Sequence, residues 1–119
     1  MTLLGILRHM TYVEQAWFDA RFAGNDVVEY YKRTDDREVD WTELESATLA
    51  EVVANFNQAC ETSDELARGH ALEQMVTKPG VNREPVDLRW IYLHMVEEYA
   101  RHCGHADILR ELVDGATGY

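Results

Sequence analysis

Three ionisable side chains occupy positions where a packed helix normally carries apolar residues. The C-terminal stretch from Ile91 has a helical pattern, and steps of alternating four and three residues predict its inward-facing positions. These positions are Ile91, Met95, Glu98, His102, His105, Leu109 and Leu112. Because a buried charge without a partner is costly, the ionisable members are expected to bind a ligand, a metal ion or one another.

The same stepping near the N-terminus finds one histidine among apolar residues. Its positions are Ile6, His9, Val13, Ala16 and Ala20. Glu98 and His102 are four residues apart, so one helix can offer both to a single ion, and His9 would supply a third ligand from a second helix. Two neutral imidazoles and a carboxylate suit zinc, nickel, cobalt or iron(II) better than calcium or magnesium.

Three protein ligands would leave one coordination position open, which is typical of catalytic metal sites. Water or a thiol bound there would become more acidic. His105, one turn beyond His102, could be a fourth ligand, a residue that positions a ligand, a proton shuttle or an ordinary partly exposed histidine. The spacing also allows Glu98 and His102 simply to pair with each other, with His9 a satisfied core histidine.

Three long amphipathic helices are predicted to position these residues in an all-α bundle. Their expected ranges are 2–22, 48–69 and 88–113. Thr48 and Glu51 form a capping box that opens the second helix, and Asp87 caps the third. The apolar positions of the second helix are Leu49, Val52, Phe56, Ala59, Ser63 and Leu66.

Two long connections separate the helices of this single predicted domain, which spans residues 1–119. The first connection, residues 24–45, is expected to hold a short turn near 27–31 or to cover a pocket. The second connection is residues 70–86, and parts of 76–86 could pair as a small hairpin. Three helices make a thin core for this length, and no N-cap precedes Thr2. We therefore expect a fourth helix, from a partner chain or from a missing N-terminal segment.

The charge and composition restrict the possible partners. A net charge of −11 argues against nucleic acid and anionic membrane surfaces, and no apolar run reaches membrane-spanning length. The N-terminus lacks the features of a signal peptide. Cys60 and Cys103 lie in different predicted helices, which fits unpaired thiols in a reducing cytoplasm. A small-molecule substrate is the expected partner.

Two helical blocks, residues 3–18 and 88–111, resemble the DinB-like superfamily. The resemblance is closest to its actinobacterial branch, which is related to mycothiol-dependent maleylpyruvate isomerases and other thiol S-transferases. It implies a four-helix bundle that holds one divalent ion through His9, Glu98 and His102. It also implies that the helix normally preceding residue 3 is missing here, so that the chain either forms a homodimer or is a shortened version.

The expected activity is that of a metal-dependent thiol S-transferase or isomerase. The resemblance implies zinc or nickel as the ion and a low-molecular-weight thiol such as mycothiol as the cofactor. Two alternatives use the same residues. One is a hydrolase in which the ion activates water, and the other is a non-catalytic metal-binding bundle with a role in stress.

Overall fold

Three helical rods make up the computed structural model, which describes residues 1–27, 48–79 and 84–118. Helix α1 spans Leu3–Glu14 and continues as a π-helical segment over Gln15–Ala23. Helix α2 spans Leu49–Ala67, and helix α3 spans Leu88–Asp114. The predicted all-α bundle is confirmed. The turn or pocket cover expected within residues 24–45 falls largely outside the described residues.

The helix starts follow from capping side chains. The hydroxyl of Thr2 accepts a hydrogen bond from Gly5 N at 3.0 Å, so α1 has its own N-cap and the expectation of an uncapped start is wrong. The predicted capping box of α2 is confirmed by the reciprocal bonds between Thr48 and Glu51. The predicted cap of α3 is also confirmed, since Asp87 Oδ1 accepts from Trp90 N at 2.8 Å.

The π-helical segment ends at Gly24, whose N–H donates to the carbonyl of Asp19, five residues earlier. Gly24 has a φ of 78°, in the left-handed region that favours glycine. A Cβ atom at this position would lie 2.6 Å from Thr77 Cγ2, so the close approach of the second connection also requires glycine.

Backbone hydrogen bonds attach the second connection to the π-helical segment. The carbonyl of Arg21 accepts from Thr77 N at 3.1 Å and from Lys78 N at 3.0 Å. At the base of the predicted hairpin, Val76 N donates to Val86 O at 3.0 Å, beside an isolated antiparallel bridge. Pairing at the base is therefore confirmed, and the tip at residues 80–83 lies outside the described part of the chain.

The first helix and its π-helical continuation contact both other helices and contribute most of the core. The buried core cluster consists of Ile6, Met10, Val13, Trp17, Phe18, Phe22, Ala67, Leu88, Ile91 and Met95. Two predicted inward positions are wrong, because Leu49 is 62% and Leu112 is 78% exposed. Cys103 is exposed as well. At these places the helix extends past the part that packs against a neighbouring helix within the described residues. The apolar pattern continues there although the side chains are exposed.

A buried carboxylate connects all three helices. Glu14, at the end of α1, is only 5% exposed, and its Oε1 accepts a 2.6 Å hydrogen bond from the hydroxyl of Tyr99 on α3. The Sγ atom of Cys60 on α2 lies 3.7 Å from the same hydroxyl. Burial, followed by the bond to Glu14, raises the pKa of Tyr99 far above its ordinary range.

Replacing Tyr99 by Phe should lower the free energy of unfolding by about 1–3 kcal/mol, because the buried carboxylate of Glu14 loses its donor. Urea denaturation followed by circular dichroism measures this change. Tyr92→Phe, at a ring that is 41% exposed, is the matched control and should change stability much less. Equal losses in the two variants would contradict the importance of the Tyr99 bond.

The raised pKa of Tyr99 also sets the pH range of this contribution. An unfolded tyrosine ionises near pH 10, whereas Tyr99 in the folded protein stays protonated to higher pH. The stabilisation is therefore fully present below about pH 10 and decreases as the pH rises further. This decrease in the free energy of unfolding above pH 10 should be smaller in Tyr99→Phe, because the variant lacks the ionisable hydroxyl at this position.

Candidate metal centre

The three predicted ligands meet where α1 and α3 face each other. His9 comes from α1, while Glu98 and His102 lie on successive turns of α3. Glu98 Oε2 is 3.8 Å from His9 Nε2 and 3.5 Å from His102 Nε2. One ligand atom from each of the three residues falls within 4.8 Å of the others. The periodicity of two separate helices therefore located one common cluster.

Two of the three spacings in the cluster are close to those around a divalent ion. Both distances to Glu98 exceed the roughly 2.7–3.2 Å of an N–H···O hydrogen bond. Ligand atoms around a tetrahedral ion at about 2.1 Å lie roughly 3.4 Å apart, so these two distances need a contraction of a few tenths of an ångström. The ligand atoms as a group lie within 4.8 Å, so the widest spacing would shorten by roughly an ångström or more when an ion binds. The donor set of two imidazoles and one carboxylate is typical of zinc and its neighbours among the transition metals.

The three side chains of the cluster are mostly buried, and each keeps a small exposed fraction. The side chains of His9, Glu98 and His102 are 21%, 14% and 8% exposed. Burial of His102 lowers its pKa, and the nearby His9 lowers it further against the opposing effect of Glu98. The neutral imidazole of His102, which is the metal-binding form, is therefore favoured.

The second carboxylate oxygen of Glu98 has its own basic neighbours. Oε1 lies 3.7 Å from His94 Nε2 and 3.7 Å from an Arg101 guanidinium nitrogen. Glu98 thus presents one oxygen to the cluster and the other to groups that can hold its orientation. His94 lies where it can both orient Glu98 and pack against the ring of Trp17.

The role of Arg101 was missed by the sequence analysis. A spacing of four residues would pair Arg101 with Glu97, but a guanidinium nitrogen of Arg101 lies 3.7 Å from Oε1 of Glu98, three residues earlier. Glu97 instead lies 3.8 Å from His94. A spacing of three also places two side chains on one face, so the signal was present but did not distinguish the two carboxylates.

His105 lies beside the cluster rather than within it. Its Nδ1 is 3.4 Å from Nδ1 of His102, on the ring nitrogen opposite the one that faces Glu98. A hydrogen bond between these nitrogens would fix the tautomer of His102 and direct its Nε2 lone pair to the cluster. This position does not match that of a fourth ligand, and a part in proton transfer remains a prediction.

A helical bundle whose first and last described helices converge on a His–Glu–His cluster defines the class as a DinB-like protein. A family model described as Mycothiol-S-transferase matches residues 1–115, so the chain belongs to the mycothiol S-transferase family. The resemblance found in the sequence is thereby confirmed.

Searches of curated proteins and of solved structures each found no significant match. Among the described helices, none combines the length and apolarity needed to cross a membrane.

Proposed function

We propose that this protein is a metal-dependent thiol S-transferase or isomerase whose divalent ion is held by His9, Glu98 and His102. The observation that carries the proposal is the convergence of these three side chains in a member of the mycothiol S-transferase family. Zinc or nickel is the proposed ion, and mycothiol is the proposed thiol. A small-molecule electrophile would be the second substrate.

The chemistry of the site follows from the donor set. A bound ion supplies the positive charge that lowers the pKa of a thiol in the position left open by the protein. Two neutral imidazoles leave that charge largely intact, and Glu98 cancels one unit of it. The thiol would lose its proton to a base or to solvent. Its sulfur would then form a bond to an electrophilic carbon. In a transfer the leaving group would depart from that carbon with its bonding electron pair, and in an addition to a double bond the pair would move to the far atom, which would take up a proton.

The surroundings of the cluster support an open position over a closed structural site. His105 Nδ1 lies against His102, so among the described residues the group of converging ligands has three members. A caged ion would need a fourth protein ligand. Hydrolysis by activated water uses the same residues and is distinguished by the thiol requirement of turnover.

We expect His102→Ala to weaken zinc or nickel binding by more than about 100-fold, because it removes one of three ligands. Isothermal titration of tag-free protein and elemental analysis measure affinity and stoichiometry. His70→Ala, at an exposed histidine beyond the end of α2, is the control and should still bind one equivalent. Helix content by circular dichroism should be unchanged in both, and stoichiometric binding by His102→Ala would refute the ligand set.

Turnover of a model electrophile such as 1-chloro-2,4-dinitrobenzene should require mycothiol. With metal ion added to every sample, the turnover rate should be at least about 100-fold lower in His102→Ala than in the wild-type protein. It should stay near the wild-type rate in His70→Ala. Absorbance of the thioether product, corrected for the uncatalysed reaction, provides the measurement. Loss of chloride from the electrophile in protein without thiol would favour the hydrolase instead.

We further propose that residues 1–119 form one domain whose bundle is completed by a second copy of the chain. A groove of about 580 Å³ lies between α2 and α3, and its lining includes Phe18, Tyr92 and Val96. Val96 is 66% exposed, and Leu93, about one turn earlier on α3, is 61% exposed. Such exposure is unusual for neighbouring apolar residues on a packed helix. A helix from a partner would cover them.

Sedimentation equilibrium should therefore show a homodimer, and Val96→Asp should convert it to a monomer because a charge would be buried at the interface. Val113→Asp, on the last turn of the same helix and 83% exposed, serves as the matched control and should remain dimeric. A wild-type protein that stays monomeric at high micromolar concentration would exclude this assembly.

The cysteines are consistent with an action in the cytoplasm, where we propose the protein works. Cys60 and Cys103 are the two cysteines of the chain, and both are free thiols. Burial raises the pKa of the Cys60 thiol. Less of it is therefore present as the thiolate, which is the form that is oxidised. Neither cysteine is needed for the proposed reaction.

A further inference from the structure

The groove of about 580 Å³ between α2 and α3 has a buried floor and an exposed rim. At the floor, Glu14, Phe18 and Met95 are each at most 5% exposed, whereas Val96 at the rim is 66% exposed. A partner helix that covers the rim, as proposed above, would leave the floor to a small molecule. None of the three candidate metal ligands lines this groove, so a site here is separate from the candidate metal centre.

Two carboxylates line the groove, and none of the described residues that line it is basic. Glu14 contributes one carboxylate from α1, and Asp64 contributes the other from α2. Both charges act on other groups of the groove. Burial raises the pKa of the Tyr92 hydroxyl, and Asp64 and Glu14 raise it further. Burial and the same two carboxylates also raise the pKa of the Cys60 thiol. The groove is therefore electronegative and favours a cation.

A buried hydroxyl in the same groove is able to accept a hydrogen bond. Ser63 precedes Asp64 on α2, lines the groove and is 5% exposed. Its side chain makes no hydrogen bond with any residue in the described part of the chain, whereas the hydroxyl of the neighbouring Thr62 donates to the carbonyl of Gln58 at 2.9 Å. Because a buried hydroxyl without a partner is unfavourable, Ser63 is suited to accept from a molecule bound in the groove.

Aromatic side chains provide surface for an apolar group beside these acceptors. Phe18 and Tyr92 both line the groove, and their ring centroids are 5.6 Å apart. Met95 adds a thioether, which packs favourably against aromatic rings. Aromatic faces also attract a nearby cation. The lining therefore matches a molecule that joins a positive charge to an apolar group.

The acceptors select among organic cations. A primary ammonium has three N–H donors, and Glu14, Ser63 and Asp64 offer acceptors to them. Oε1 of Glu14 already accepts from Tyr99, but a carboxylate has several lone-pair sites and can accept a further bond. Charge-assisted bonds of this kind are stronger than those between neutral groups. A quaternary ammonium carries the same charge but has no donor, so it fits the acceptors less well.

We propose that the groove between α2 and α3 binds a small primary arylalkylamine. The ammonium group of this ligand lies on Glu14, Ser63 and Asp64, and its aromatic group lies on Phe18 and Tyr92. Such amines are protonated near neutral pH, as lysine is, so the ligand enters as a cation. This binding site does not rest on the proposed thiol chemistry.

Titration with phenethylamine, followed by aromatic side-chain signals in NMR spectra, tests the proposal. For a ligand this small we expect saturable binding in the millimolar range. Three comparators each change one feature: 2-phenylethanol removes the charge, 3-phenylpropionate reverses it, and methylamine removes the aromatic group. Each should bind at least about tenfold more weakly. A trimethylated phenethylammonium, which keeps the charge without donors, should bind at least about threefold more weakly.

Variants of α2 separate recognition in the groove from attraction to an acidic surface. Asp64→Asn should weaken phenethylamine binding at least about fivefold and leave the weak binding of 2-phenylethanol unchanged, because only the cation loses a charged partner. Glu65→Gln is the matched control, since Glu65 is also exposed but does not line the groove. It should alter the affinity less than about twofold. Ser63→Ala should weaken binding about twofold or more. Circular dichroism confirms that each variant is folded.

Three results would overturn the proposal. The first is equal affinity for phenethylamine and 2-phenylethanol, and the second is an equal loss of affinity in Asp64→Asn and Glu65→Gln. The third is the absence of saturable phenethylamine binding, which in a homodimer would mean that the partner helix fills the floor as well as covering the rim. His102→Ala should bind phenethylamine as the wild-type protein does, so retained amine binding in a protein that lacks thiol transfer would count against the proposed function alone.

Discussion

The approach of α1 to α3 is the constraint on which the candidate site depends. Apolar side chains from both helices, including Met10, Ile91 and Met95, are buried at or near this crossing. They bring His9 within 3.8 Å of a carboxylate that is 89 positions away in the sequence. Burying ionisable groups among apolar ones is unfavourable by itself, so the packing around the cluster must offset that cost. Binding of an ion would recover part of it.

One continuous rod changes from α-helix to π-helix after Glu14. Its first part presents His9 to α3, and its second part presents Trp17 to a cavity of about 410 Å³ that Trp90 also lines. The carbonyl of Arg21 lies in the last turn of the rod, where carbonyls have no partner within the helix, and it accepts bonds from the second connection. Behind the two indoles, the ring of His94 lies between this wall and Glu98.

Helical periodicity was sufficient to pair Glu98 with His102, because residues four apart on one helix share a face. Adding His9 to the candidate cluster required the further assumption that the first and third helices are neighbours. Tyr99 and Glu14 are 85 residues apart, and no local spacing connects them. The π-helical segment was also missed, since its residues suit an ordinary helix and its stabilising bonds come from the distant Thr77 and Lys78.

Exposed apolar positions were mispredicted for a related reason. A periodic pattern tells which side of a helix is apolar, but it does not tell how far along that side a neighbour extends. Leu112 lies several turns after Met95 on the same predicted apolar side of α3. It is nevertheless 78% exposed, whereas Met95 is buried. Its environment depends on tertiary contacts, which the pattern of a single helix does not contain.

Two polar contacts lie along the approach of α1 to α3, and they come from consecutive residues of α3. Glu98 faces His9, whereas Tyr99 donates to Glu14. His9 and Glu14 are five residues apart, so they lie on different turns of α1 and the two contacts act as separate fixing points. Sliding either helix by one turn would break both contacts and leave Glu14 buried without its donor. Apolar packing alone tolerates such shifts far better, and a site that needs three ligand atoms within a few ångströms of one another does not.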